Sequence, residues 1–240
     1  MSDLYTDLAD LYDVVFDWEI EEEVDWLVER LGPGCRTVLE PGCGSGRMFG
    51  PLVRRGLVVT GLDLSPAMVA RARARGDATV VLADMRDFDL GVFDGAVCPI
   101  NTLGHLSPAD LAAHLVAMAR ALRPAGRYLV QLALGADVGG ASRWEVERNG
   151  ARVRAEWVVE ERDLARGTEV HRSTFEVLSG PRAGEVHEQL HEMTFWTPET
   201  WAAAIAASPF EWAAVYEGVG RSRVDFAATG GLLWHELARR

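Results

Sequence analysis

Three glycines alternate with small residues directly after an acid. Glu40 and Pro41 precede Gly42, Gly44 and Gly46 in the run VLEPGCGSGR, Val38 to Arg47. Each glycine removes a side chain and tolerates positive φ, so the run makes a bend where main chain approaches a ligand closely. The GxGxG spacing differs from the GxGxxG of a dinucleotide loop, and a bend alone is a weak signal. The acid narrows it: a carboxylate beside the loop repels a diphosphate but suits a cationic ligand without phosphate.

Asp63 ends the next apolar run about 20 positions after Gly42, where a carboxylate can take both ribose hydroxyls. Asp84 ends the following run at about the same interval, where it can accept from an adenine amine while Met85 packs on the ring. Three acids at successive strand ends share the carboxyl edge of one sheet, the place where open α/β folds bind ligands. For Asp63 and Asp84 the alternative is capping of the helices that follow. As one set, these residues describe a site for S-adenosylmethionine, whose ammonium and sulfonium are positive and which carries no phosphate.

The elements that must position this set are legible around it. Leu4, Leu8, Leu11, Tyr12 and Val15 recur at helical spacing, and Ile20, Val24, Leu27 and Leu31 repeat the pattern. Thr37–Leu39, Leu57–Asp63, Ala78–Ala83, Phe93–Ile100 and Arg127–Leu134 read as strands of a doubly wound, mostly parallel α/β sheet. Between them Ser65–Arg75 and a segment from Ser107 to about Leu122 read as helices, the first capped by Ser65, opened by Pro66 and stopped by Gly76. Gly50-Pro51 makes the helix after the glycine turn short or kinked. After Gly135 the texture turns to Val, Thr, Trp and Glu: Val153–Glu161 and Thr168–Leu178 form a hairpin, and Glu185–Trp196 is a third antiparallel strand. A helix after Thr197-Pro198 and strands at Phe210–Tyr216 and Leu232–Leu237 return to the sheet, so residues 136–196 are an antiparallel β insertion.

With 240 residues, one α/β domain carrying an insertion is the natural size. A net charge of -12 opposes a nucleic-acid partner, which needs clustered Lys and Arg. No apolar run approaches the roughly 20 residues of a membrane span, and the acidic start lacks a secretory pattern, so a cytoplasmic protein is expected. Cys35, Cys43 and Cys98 form no CxxC pair, and no metal site is expected from them. A homodimer is left open.

These motifs together resemble the class I S-adenosylmethionine-dependent methyltransferases over most of the chain. LEPGCGSG resembles the family's first motif, GLDLSPAMVARAR the second, ADMRDFDL the third, and LRPAGRYLV the turn into the fifth strand. YTDLADLYD, CPINTLGHL and the insertion before FWTPETW resemble the small-molecule branch that includes sugar N-methyltransferases and glycine N-methyltransferase-like enzymes. The resemblance implies a seven-stranded Rossmann-like sheet, with residues 1–31 as a helical lid, 32–135 and 197–240 as the cofactor core, and 136–196 as part of the acceptor pocket. It places Tyr12 near the cofactor, Gly42, Cys43 and Gly44 on its methionine part, Leu64 and Met68 beside ribose and adenine, and Pro99 at the sulfonium. Glu40, where the family more often has Asp, and Gly50-Pro51 are departures from its pattern.

Methyl transfer to a nitrogen or oxygen of a small molecule is then the expected reaction. It needs alignment and, at most, removal of a proton. Tyr5, Tyr12, Asn101, His105, His191 and Trp196 are the acceptor-side candidates. His105 is the preferred proton acceptor and Tyr12 a second catalytic candidate. Packing or turn roles compete for each. Two other readings compete: a cofactor-binding sensor or a non-methylating cyclisation or rearrangement on the same fold, and, more remotely, a zinc hydrolase from His187-Glu188-Gln189-Leu190-His191, which spells HExxH. The valine, histidine and glutamate alternation there favours a strand, on which the two histidines do not converge.

Overall fold

A computed structural model describes residues 3–16, 18–135, 138–218 and 232–240. Along the chain, α1 (Ala9–Val15) and α2 (Glu21–Leu31) lead to β1 (Thr37–Pro41), α3 (Phe49–Arg54), β2 (Val58–Asp63), α4 (Pro66–Arg75), β3 (Thr79–Leu82) and β4 (Phe93–Cys98). A 3-10 turn at Thr102–His105 precedes α5 (Pro108–Ala121) and β5 (Leu122–Ala133). Next come β6 (Ala141–Arg148), β7 (Ala151–Asp163), β8 (Thr168–Ser179) and β9 (Val186–Thr194), then α6 (Pro198–Ala206), β10 (Phe210–Tyr216) and β11 (Leu232–Arg239).

Two units divide these elements: residues 1–19 with 136–195, and residues 20–135 with 196–240. The two N-terminal helices therefore do not form one lid. On α2, Val24, Trp26 and Leu27 bury their stripe among Phe49, Leu52, Val59 and Trp234 of the larger unit. Leu11, Val14 and Val15 of α1, with Leu8 just before it, cluster instead with Val153, Ala155, Phe175 and Val177 of the smaller unit. Burial against a sheet, worth on the order of 1.5–3 kcal/mol per large apolar side chain, assigns each helix to its unit.

In the larger unit a seven-stranded sheet has the order β10-β11-β5-β4-β1-β2-β3. β1 to β5 pair in parallel, while β11 runs antiparallel to both β5 and β10. Strand alternation feeds two cores: Leu39, Ala96 and Val130 face Leu111, Leu115 and Met118 of α5 and Trp201 of α6, whereas Val38, Val97 and Leu129 face α2, α3 and α4. The smaller unit is an antiparallel sheet in the order β6-β7-β8-β9, its apolar inner half covered by α1.

Local chemistry sets most helix starts. Ser65 Oγ accepts the Met68 amide at 3.3 Å, Pro66 fills the first turn and Gly76 closes α4 at φ 77. Ser107 caps α5, and Thr197 with Thr200 forms a reciprocal capping box on α6. Two strand boundaries and one whole strand show where the structure departs most from expectation. β4 stops at Cys98 because Ile100 and Asn101 turn left-handed. β5 begins at Leu122, and Pro124 lies inside it at an irregularity in the pairing with β4. β6 was unexpected, since ASRWEVER shows no clean apolar alternation, yet it pairs with β7 along its length. None of the described helices is long and apolar enough to cross a membrane.

Candidate functional site

The glycine turn lies against the next strand end. Cys43 N–H donates to the Leu62 carbonyl at 3.0 Å, and Gly44 N–H donates to Asp63 Oδ2 at 2.8 Å. Gly42 sits at φ 65, and a Cβ there would stand 2.5 Å from the Thr102 methyl and 3.8 Å from the Met85 sulfur. The bend thus needs glycine for both conformation and room. Gly46 follows at φ 79, close over the Phe49 ring.

Glu40, opposite Gly61 in the β1–β2 register, is 2% exposed. Burial pushes its carboxyl up to about 8, Arg47 opposes that shift and Asp63 adds to it. Its Oε2 has no hydrogen-bond partner among the described residues. An orphaned buried carboxyl beside a cradle that a side chain would fill is the chemistry a cationic ligand completes. S-adenosylmethionine fits that requirement.

Asp63 is half-buried, with Oδ1 accepting the Ser65 amide at 2.8 Å and Oδ2 the Gly44 amide. Burial raises its carboxyl, and the main-chain donors of Ser65, Gly44 and Leu64 oppose the rise. A carboxylate has about four acceptor positions, so both oxygens keep capacity for ribose hydroxyls. Leu64 next to it is 67% exposed, a free apolar surface at the strand end. Met68, expected beside Leu64, is instead fully buried at the start of α4, so its side chain faces protein.

Asp84, expected at the adenine amine, carries an ion pair of its own. Arg86 donates to Oδ1 at 3.0 Å through Nε and to Oδ2 at 2.6 Å through Nη2, and holds the carboxyl below its usual range. Asp84 is thus held by a neighbour two residues along the chain, with acceptor positions left on the same carboxylate. Met85 does lie at the glycine turn, and its carbonyl is held by His114 of α5, whose Nδ1–H donates to it at 2.8 Å. Tyr128 Oη donates to His114 Nε2 at 2.9 Å. Burial lowers His114 to about 4, so the ring is neutral and its tautomer is set by these two partners. Sequence reading missed this pair; its signal is a histidine on the apolar stripe of Leu111, Leu115 and Met118.

After β4, Pro99 is buried and its carbonyl accepts the Thr102 hydroxyl at 2.8 Å. Asn101, expected to meet the acceptor, spends Oδ1 on the Ala133 amide at 2.9 Å and takes the turn role. His105 ends the 3-10 turn with its side chain exposed, consistent with a group that meets a ligand. Trp196, expected on the acceptor side, is 3% exposed and packs edge-on against Trp201 in the core of the larger unit.

In the smaller unit, Tyr12 packs on Phe16 with ring centroids 4.8 Å apart and lies 6.0 Å from Tyr5. His191 is buried, bonded to Ser173 Oγ at 2.9 Å and stacked on Trp157 at 4.8 Å. Beside it Trp157 Nε1–H donates to His171 Nδ1 at 2.8 Å, and His171 Nε2–H to Glu169 Oε1 at 3.0 Å. The HExxH spelling lies on β9, where His187 and His191 are four strand positions apart, about 13 Å, with Glu188 on the opposite face. A helical zinc motif is therefore not formed, and the hydrolase reading falls.

Residues 38–126 match the methyltransferase domain family. The chain is 31% identical over 220 residues to a dTDP-3-amino-3,6-dideoxy-alpha-D-glucopyranose N,N-dimethyltransferase of Streptomyces fradiae, covering 86% of this chain and 85% of that one. A ubiquinone biosynthesis O-methyltransferase of Pseudomonas paraeruginosa is 33% identical, but over 45% of this chain and 48% of its own. Among solved structures, an S-adenosylmethionine-bound amino pentose methyltransferase from Micromonospora echinaspora shares the fold at a TM-score of 0.78 and 24% identity, with both chains covered in full. With the strand order, the glycine turn and the orphaned Glu40 in place, this chain belongs to the class I S-adenosylmethionine-dependent methyltransferases, in the branch of the sugar N-methyltransferases.

Proposed function

We propose that the acceptor is the amino group of a deoxy amino sugar carried on a nucleoside diphosphate, methylated at nitrogen. One observation carries this reading. Likeness to an O-methyltransferase ends at 45% of the chain, whereas likeness to the amino sugar N,N-dimethyltransferase spans 86% and so reaches well beyond the cofactor-binding residues 38–126.

S-adenosylmethionine, when bound, supplies a methyl group activated by its sulfonium. Glu40 would balance its positive charge, Gly42, Cys43, Gly44 and Gly46 would receive its methionine part, Asp63 and Leu64 its ribose, and Met85 its adenine, with Pro99 beside the sulfonium. What the chain itself does is align and deprotonate. A sugar ammonium has no lone pair to donate, so the proton must leave before nitrogen acts. His105 takes that role, because its exposed side chain ends the turn that follows the fourth strand and imidazole is the side-chain type suited to general base work.

Incubation with a dTDP-linked amino sugar and its hydroxyl analogue tests the acceptor class. S-adenosylhomocysteine should form with the amine and not with the hydroxyl; equal turnover of the hydroxyl analogue would overturn the assignment.

A further inference from the structure

In the fifth strand, the run LVQLA from Leu129 to Ala133 contains one polar side chain, Gln131, between the buried Val130 and Leu132. A half-buried amide in an apolar strand needs partners to offset its lost hydration. Gln131 finds one across the sheet edge. Its Oε1 accepts the Ile100 amide at 2.8 Å, while its main-chain carbonyl accepts the Asn101 amide at 3.0 Å.

Those two partners are unusual in conformation. Ile100 has φ 52 and Asn101 φ 55, consecutive residues in the left-handed region. For a β-branched side chain this is an outlier, and such residues persist where surroundings over-determine them. Here the two bonds from Gln131 and the Asn101 Oδ1 bond to the Ala133 amide do so. The turn they hold has two consequences. It drives the Thr102 methyl into the space that a side chain at Gly42 would fill, and it launches the 3-10 turn that ends at His105.

We propose that Gln131 is a positioning residue for methyl transfer: by clamping Ile100 it fixes segment 99–105, and with it His105, in register with the glycine turn. Of the three clamping bonds, its amide is the one made by a side chain outside the strained turn. The inference rests on the placement of His105 at the acceptor and is independent of which amine is methylated.

The variant Gln131→Leu keeps the volume and removes the acceptor atom; Gln131→Glu keeps an acceptor oxygen. Turnover of a dTDP-linked amino sugar by Gln131→Leu should fall about 100-fold in kcat, as expected for a misplaced reacting group. Calorimetric S-adenosylhomocysteine affinity should change by less than about fivefold, and Gln131→Glu should recover kcat to within about tenfold of wild type. A purely structural role would lower the unfolding midpoint in both variants without this split. Wild-type kcat in folded Gln131→Leu would overturn the proposal. Should the wild-type enzyme turn over no amino sugar, the acceptor reading fails by itself, and a crystal structure of Gln131→Leu decides this one: relaxation of Ile100 and Asn101 to negative φ supports the clamp, and their retention at positive φ refutes it.

Discussion

Asp63 Oδ2 accepts the Gly44 amide at 2.8 Å, so the second strand's terminal acid holds the first strand's glycine turn. The same carboxylate has acceptor capacity left for a ligand, so the proposed ribose contact can add to its role as scaffold. Asp63→Ala should weaken cofactor affinity by on the order of 1–3 kcal/mol, and Asp63→Asn by less, since an amide oxygen still accepts. Isothermal titration with S-adenosylhomocysteine checks it. Unchanged affinity in folded Asp63→Ala would remove Asp63 from the site.

Glu40 gives the site a pH signature. Its carboxyl is raised to about 8, so in the free protein it holds a proton over pH 4.5 to 8, where the unfolded chain's glutamate has lost it. Two consequences follow. Glu40's contribution to stability is present at low pH and lost as pH rises toward 8, and a cationic ligand that favours the carboxylate should expel the proton. S-adenosylmethionine affinity should therefore rise with pH up to about 8 and level off above it, while Glu40→Gln should show little of that slope. Titration in two buffers of different ionisation enthalpy reads the released proton directly; the absence of proton release at pH 7 would contradict the assignment.

Gly42 is tested by a pair of substitutions. Gly42→Ala places a Cβ 2.5 Å from the Thr102 methyl at a left-handed φ, and should cut cofactor affinity by about 10-fold or more. Thr102→Ser deletes that methyl and keeps the hydroxyl bonded to Pro99, so the double variant should regain part of the loss. No recovery would mean that conformation alone, and not crowding, demands the glycine.

His114 links the site to acid stability. Burial lowers it from 6.5 to about 4, so the unfolded chain binds a proton that the native state refuses between those values. Its contribution is present above pH 6.5 and is lost as pH falls toward 4. His235, fully buried and lowered to about 4, acts in the same direction. Denaturant unfolding at pH 7 and pH 5 should show a smaller pH-dependent loss in His114→Gln than in wild type, alongside weaker cofactor binding from release of the Met85 carbonyl. An identical pH dependence would remove His114 as its source.

How far these features were legible depends on how local their causes are. Ser65, Pro66 and Gly76 act within one helix, and their reading matched the structure to the residue. Glu40, Gly42 and Asp63 were visible as types at spacings. The Asp84–Arg86 pair joins residues two positions apart, so it was readable in the sequence but was not weighed there. Ile100 read as strand from its β-branched side chain, and Gln131, some 30 positions away, overrides that propensity. The His114–Tyr128 bond is likewise a product of packing. In β6, Arg143, Glu145 and Glu147 hid the alternation because that strand keeps one charged face and only Trp144 and Val146 on the other.

Product mass spectrometry with a dTDP-linked amino sugar tests the proposed methyl transfer to a sugar nitrogen most directly. The sugar should gain methyl groups at its amino nitrogen as S-adenosylhomocysteine accumulates in step, and His105→Ala should slow this by about 100-fold or more without loss of cofactor binding. Cofactor binding with no methylated amine from any amino sugar offered, or methyl groups found on oxygen, would contradict it.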